Sequence, residues 1–287
     1  MNLFCFGAGY SLRHFIDTRR TRFASVTGTA RSQEGVDRLS RMGVAGRIFD
    51  GASADSRIAD DVAAADALLV SIPPGDDGDP VLAAFGQEIA ASPRLSWIGY
   101  LSTIGVYGDH AGGLVDEATP TEASSPRAAA RIAAEREWLA LGARAGKAVQ
   151  IFRLAGIYGP GRGAVEQLRR GVARRIVKPG QVFNRIHVED IARTLDASLA
   201  RPCAGAIYNV CDDEPAPPQD VVAYAAELMG VPAPRETPFE EADMSPMARD
   251  FYASCKRASN ARIREELGVD LAFPTYREGL AAIVAGG

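Results

Sequence analysis

The sequence predicts an α/β protein of the doubly wound kind, a parallel sheet with helices on both faces, followed by a smaller and partly interwoven region. Three observations predict it. Continuous apolar runs such as residues 67–72 and 148–154 lack the alternation of a half-exposed strand, so both of their faces must be covered. Amphipathic stretches of helical period separate these runs. The first run ends in Gly7-Ala8-Gly9 just where a helical pattern begins.

Residues 3–6 read as the first strand and 11–18 as the helix behind it. Residues 23–27 form a second apolar run, backed by Gly28, and 32–42 a helix with Val36 and Leu39 on one face. A weaker third strand covers 46–49, a short helix 58–64, a fourth strand 67–72 stopped by Pro73-Pro74, a helix 80–91 and a fifth strand 95–101. A long alanine-rich helix spans 126–143, and a sixth strand 148–154. Past Gly163 the pattern loosens. A basic amphipathic helix is expected over 164–175, a strand over 182–188, a helix from Asp190, a strand over 206–210, a loop over 213–219 and a helix over 220–229. Residues 232–249, rich in proline and acid, read as irregular, and a last helix opens after Ser259 and stops at Gly268. The expected division is a Rossmann-type domain over 1–163, to which parts of 182–212 return, and a smaller substrate-side region over 164–287.

Composition bounds the function. The chain has 287 residues, 47% hydrophobic and 24% charged, which suits a globular protein and not a disordered or fibrous one. With 32 basic and 36 acidic residues the net charge is −4, so no broad positive field exists for nucleic acid. No apolar run approaches the ~20 residues that span a bilayer, and the opening residues have neither a basic leader nor a long apolar core. The four cysteines form no CxxC pair and the three histidines are scattered, so no metal site is expected. A reduced, cytoplasmic protein is the economical expectation.

The glycine turn carries the first chemical reading. Glycine allows a tight bend and lets backbone N–H groups approach a pyrophosphate, while the following helix offers its positive end. Gly7, Ala8, Gly9, Tyr10 and Ser11 are therefore expected to bind a dinucleotide. Leu12 stands where a third glycine would serve close helix–strand packing, which suggests shifted packing. At the end of the second strand an acidic residue would favour NAD(H). The sequence instead reads Thr29-Ala30-Arg31-Ser32, so a guanidinium and a hydroxyl are available to a 2′-phosphate, and NADP(H) is expected over NAD(H). The bland alternative is that Arg31 is a solvated residue at a helix start.

Five further stretches fall at familiar separations: Ser102-Thr103-Ile104-Gly105-Val106-Tyr107-Gly108, Arg153-Leu154-Ala155-Gly156-Ile157-Tyr158-Gly159-Pro160-Gly161, Arg185-Ile186-His187-Val188-Glu189-Asp190, Tyr208-Asn209-Val210, and Lys256-Arg257-Ala258-Ser259-Asn260 through Gly268. Together with the glycine turn they resemble the extended short-chain dehydrogenase/reductase superfamily, the NAD-dependent epimerase/dehydratase group, over most of the chain. The resemblance implies an oxidoreductase or epimerase in which a hydroxyl residue, a tyrosine and a lysine do the chemistry. Thr103 falls at the hydroxyl position. The tyrosine and lysine belong four residues apart on the next long helix, on one face. Anchored on Glu135, that alignment puts Arg127 at the tyrosine position and Arg131 at the lysine position. An arginine stays protonated near neutral pH and cannot serve as a general base. The pair could instead grip a ribose, phosphate or carboxylate, or simply face solvent.

By the same resemblance, Ile72, Pro73 and Pro74 border the adenosine ribose and pyrophosphate. Leu154, Ala155, Gly156 and Ile157 lie beside the nicotinamide, with Thr103 and Arg131 completing the cofactor site. His187 and Asp190 read as structural. A second YxxxK string, Tyr252 to Lys256, lies too near the C-terminus for a dyad beside Thr103. Tyr107 and Tyr158 are other phenols, with ring packing the blander reading. The cations Arg162, Arg169, Arg170, Arg174, Arg175 and Lys178 either border an anionic small-molecule substrate or form a solvated face pairing with Glu240, Glu241 and Asp243. Two functions stay open: an NADP(H)-linked oxidoreductase or epimerase with an altered site, or a non-catalytic NADP(H) sensor. A monomer and a homodimer are equally compatible with the alanine-rich helix.

Overall fold

A computed structural model describes residues 1–286, the side chain of Met247 apart. The chain forms two compact units, each discontinuous in sequence. The first comprises residues 1–103, 126–153 and 191–208, and the second 104–125, 154–190 and 209–287.

The first unit is built on a seven-stranded sheet. Its strands are β1 (Asn2–Phe6), β2 (Ser25–Ala30), β3 (Ala45–Ile48), β4 (Ala67–Val70), β5 (Trp97–Thr103), β6 (Ala148–Leu154) and β7 (Ile207–Val210), in the spatial order β7-β6-β5-β4-β1-β2-β3. β1 pairs in parallel with β2 and with β4, β2 with β3, and β4 with β5. Every residue of β4 is buried, as its unbroken apolar run requires. The order reverses between β1 and β4, and such a switch point opens a crevice at the carboxyl ends of the strands.

Helices α1 (Tyr10–Thr18), α2 (Gln33–Arg41), α3 (Ile58–Ala64), α4 (Pro80–Ala91) and α5 (Pro126–Ala145) connect the strands. Their starts follow from local chemistry. Ser32 caps α2 by accepting the Gly35 N–H. Asp79 caps α4, accepting from the N–H groups of Val81 and Leu82 at 2.9 and 3.1 Å, with Pro80 at the first helical position. The other Asp79 oxygen accepts the Trp138 indole N–H at 2.9 Å, which ties α5 to the cap of α4. Phe4, Phe6, Phe49 and Phe85 form an aromatic cluster within the core, and Tyr100 packs on Trp138. Leu12 is fully buried. Close approach is made instead at Gly28, where a Cβ would stand 3.2 Å from that of Ala8.

The second unit has small parallel pairs in place of a large sheet: Gly156–Tyr158 with Arg185–His187, Arg175–Val177 with Glu236–Pro238, and Leu114–Val115 with Arg257–Ala258. Three expectations are corrected here. The basic helix ends at Arg169, not 175, because Gly171 takes a left-handed φ of 66° and its N–H closes on the Leu168 carbonyl. The segment expected to be irregular holds a helix, Pro246–Tyr252, started by a Ser245 cap that accepts from the Ala248 N–H. The helix after Ser259 is short, Ala261–Glu265, and is not the last. Tyr276–Ala285 follows, opened by a capping box between Thr275 and Glu278. Tyr276, Leu280 and Ile283 of that helix join Tyr158, Val165, Val221 and Ala225 in the core of this unit.

Candidate functional site

The carboxyl end of β1 runs into Gly7, whose φ of 79° is left-handed. A Cβ at Gly7 would stand 2.7 Å from Ile72 Cγ1, so only glycine fits. The bend is fastened on both sides. Gly7 N–H donates to Thr29 Oγ1 at 2.8 Å and Ala8 N–H to the Thr29 carbonyl at 3.0 Å, while the Gly7 carbonyl accepts from the Ser71 hydroxyl. Gly9 is the N-cap of α1, at φ −78° and ψ −163°, and it supplies no side-chain cap. No acidic residue lies in the first turn. The bend therefore presents a helix N-terminus at the switch point.

Arg31 and Ser32 follow β2. Arg31 is exposed and makes no hydrogen bond or ion pair among the described residues. The Ser32 oxygen accepts the Gly35 N–H at 3.4 Å, and its own hydrogen stays available. Ile72, Pro73 and Pro74 follow β4, with Pro73 exposed and the other two half-buried.

Thr103 ends β5 and is half-buried. On α5, Arg127, Arg131 and Glu135 recur every four residues on one face. Arg127 is exposed and makes no hydrogen bond or ion pair among the described residues. Arg131 is held against β5: its Nη1 donates to the Tyr100 hydroxyl at 3.1 Å and to the Leu101 carbonyl at 3.0 Å. Its Nε and Nη2 make no hydrogen bond among the described residues. A phenol beside a cation is reminiscent of a proton-transfer pair, but Tyr100 is fully buried, and burial pushes its phenol above its ordinary value. It cannot trade protons with a bound molecule.

Glu135 is buried beneath this face. Its carboxylate accepts from the Ser102 hydroxyl at 2.5 Å and from Arg153 Nε and Nη2 at 3.2 and 2.7 Å. Both members of the ion pair are 4% exposed.

Within the second unit, Ala155 N–H donates to the Val210 carbonyl and Gly156 N–H to the Asn184 carbonyl, both at 3.0 Å. Leu154 and Ala155 are buried, Ile157 is half-buried and Gly156 is exposed. Asp190 accepts from the Ala272 and Phe273 N–H groups at 2.6 and 3.1 Å, and His187 Nδ1 accepts from Glu189 N–H at 3.2 Å, so both do structural work. The Tyr107 hydroxyl donates to Asn209 Oδ1 at 2.7 Å and that of Tyr158 to the Thr275 carbonyl at 3.3 Å. Tyr252 packs on Phe183 and Phe239, and Lys256 Nζ donates to Ser254 Oγ at 3.0 Å.

The basic stretch divides. Arg175 pairs with Glu236 at 2.7 Å, Arg174 donates to the Asp243 carbonyl and Lys178 to that of Tyr252. Arg169 and Arg170 are exposed. Among the described residues no cluster of His, Cys, Asp or Glu is fit to hold a metal, and no helix is long and apolar enough to cross a membrane.

Two fastenings escape sequence reasoning. Thr29 in β2 and Ser71 just past β4, which hold the glycine bend, are brought together by a spatial order of strands that a local pattern does not reveal. Ser102, Glu135 and Arg153 join over separations of 33 and 18 residues. Their only sequence signal is that Ser102 and Arg153 open stretches carrying the family resemblance and that Glu135 anchors the alignment of the long helix.

The model of the NAD dependent epimerase/dehydratase family matches residues 90–211. The protein YeeZ of Escherichia coli K12 is 33% identical over 222 residues, 73% of this chain and 77% of that one. A functionally unknown conserved protein from Silicibacter pomeroyi is similar in structure, with a TM-score of 0.90 at 48% identity over 99% of this chain and 98% of that one. The dTDP-glucose 4,6-dehydratase of Bacillus anthracis, solved in complex with NAD, has a TM-score of 0.78 at 17% identity over 99% and 96%, a likeness of fold. The bend at the switch point, the motif order and these relatives agree: the chain belongs to the NAD-dependent epimerase/dehydratase family.

Proposed function

We propose that this protein binds a nicotinamide dinucleotide at the Gly7–Ser11 bend, takes NADP(H) in preference to NAD(H), and works without the family's tyrosine/lysine pair. One observation carries the first part. Gly9 has ordinary extended dihedrals, and a Cβ there would meet only the Gly7 carbonyl, at 3.8 Å. Nothing among the described residues requires glycine at that position. A ligand lying against the backbone does, because pyrophosphate oxygens approach the amides of the helix start only where no side chain stands in the way.

The other residues fit this reading. Arg31, exposed and unengaged, and the free hydrogen of Ser32 suit a 2′-phosphate. Arg131 is steadied by Tyr100 and Leu101 through one nitrogen and has Nε and Nη2 left for ribose hydroxyls, the service the lysine performs in the family. Thr103 orients a substrate carbonyl or hydroxyl. When bound, the dinucleotide supplies hydride transfer. Arg127 cannot exchange a proton near neutral pH, so water or a substrate group serves as the proton donor. The exposed Arg169 and Arg170 suit a substrate with an anionic group. The absence of an ionisable phenol at the helix start favours a second reading, a sensor that binds NADP(H) without turnover.

Calorimetric titration with NADPH and NADH tests the cofactor reading. Wild type is expected to bind NADPH about tenfold more tightly, and Arg31→Ala to lose that difference while binding NADH unchanged. Equal binding of both cofactors by wild type overturns the preference. NADPH oxidation with a panel of carbonyl compounds, lost in Thr103→Ala, supports the enzyme. Tight binding with no turnover supports the sensor.

A further inference from the structure

The family's chemistry uses the outward side chains of α5, yet the most heavily bonded side chain on that face points inward. We infer that Glu135 is a positioning residue: with Ser102 and Arg153 it forms a buried clamp that fixes the register of α5 against β5 and β6, and so sets where Arg131 stands. The inference rests on Arg131 gripping the cofactor ribose, as proposed above.

The geometry is specific. One carboxylate receives a hydroxyl from the end of β5 and a guanidinium from the end of β6, at 2.5, 2.7 and 3.2 Å. Ser102 immediately precedes Thr103. Arg131 lies one helical turn before Glu135, on the same face, and reaches the same strand at Tyr100 and Leu101. The clamp thus adjoins Thr103 along β5 and Arg131 along α5, both expected to touch cofactor or substrate.

Stability alone does not account for it. A buried ion pair roughly breaks even against well-packed apolar residues of similar volume, because both charges lose water. Register does account for it. On the buried side of the first half of α5, Ala128 and Ala134 flank Ile132, and the small alanine side chains make shallow ridges that do little to fix register. Further along, Trp138 is pinned to Asp79. Glu135 supplies the matching pin on the side of Arg131.

The test separates register from stability. Glu135→Gln is expected to lower the unfolding midpoint by roughly 10 °C, since it removes one charge of the buried pair with Arg153, and to weaken NADPH binding about tenfold or more. In Glu135→Leu/Arg153→Met the midpoint should return to within about 3 °C of wild type, while NADPH binding stays about tenfold weaker. Hydrogen exchange of the double variant should show residues 128–134 exchanging about tenfold faster, with 138–145 unchanged. Affinity that recovers along with stability, or unaltered exchange over 128–134, overturns the inference and leaves the clamp a plain brace. If the double variant does not fold, Ser102→Ala removes a single hydrogen bond. It should cost a few degrees and a few-fold in affinity, and unchanged affinity overturns the inference. If wild type itself takes neither NADPH nor NADH, the cofactor reading is what has failed, and the exchange measurement alone decides the clamp.

Discussion

The glycine bend and the outer face of α5 lie in the same unit and have fared differently. The bend is made of backbone: Gly7, Ala8 and Gly9 present amides, and Thr29 and Ser71 hold them in place. The face of α5 is made of side chains, Arg127, Arg131 and the buried Glu135 recurring one turn apart. A backbone site needs only an absence of side chains and a helix start. A proton-transfer pair needs two particular groups, and losing either abolishes it while the helix and its buried Glu135 remain. A site built of backbone therefore tolerates substitutions that a site built of side chains does not.

Breaking each region in turn sharpens that contrast. The largest effect is expected at Glu135. Glu135→Gln removes the carboxylate charge from a buried ion pair and should cost about 3–5 kcal/mol by chemical denaturation. Gly7→Ala comes next. The left-handed φ and a Cβ placed 2.7 Å from Ile72 Cγ1 together cost about 2–3 kcal/mol.

Asp212, in the second unit, is a buried carboxyl with the opposite provision to Glu135. One oxygen accepts only the Glu214 N–H, at 3.3 Å, and the other has no partner among the described residues. Burial pushes its pKa up to about 8, opposed by Arg185 and reinforced by Asp213 and Glu214. With the folded pKa above the unfolded one, the native state holds an extra proton between the two values. Its contribution is fully present below the unfolded pKa and is lost as pH rises through 8. Asp212→Asn should therefore gain on wild type as pH is raised from 5 to 9, by on the order of 2 kcal/mol, measured as the change in denaturant midpoint. A gain that does not vary with pH contradicts the burial account.

Much of this was legible in the sequence, for identifiable reasons. The helices 58–64 and 80–91 and the strand 148–154 end at the expected residues, because apolar runs buried on both faces and a Pro-started helix leave little ambiguity. The charge pattern over 164–175 overstates the basic helix because Gly171 sits inside a persuasive amphipathic pattern. Its left-handed φ, not the charge pattern, ends the helix. The two missed helices both carry N-terminal signals, Ser245 before Pro246 and Thr275 with Glu278, which proline and acid content around them obscured. Gly7 and Gly9 could be read because spacing along the chain defines them. The Ser102–Glu135–Arg153 clamp could not be assembled, because only the order of strands in the sheet brings those three together.

In the proposal above, the open ground at Gly9 is kept for a dinucleotide. Adding one methyl group there tests it most directly, by titrating Gly9→Ala and wild type with NADPH side by side and recording both unfolding midpoints without ligand. The account predicts unchanged midpoints, since the new Cβ meets nothing nearer than 3.8 Å, and at least about a tenfold loss of affinity. Equal affinity in the two proteins would contradict it.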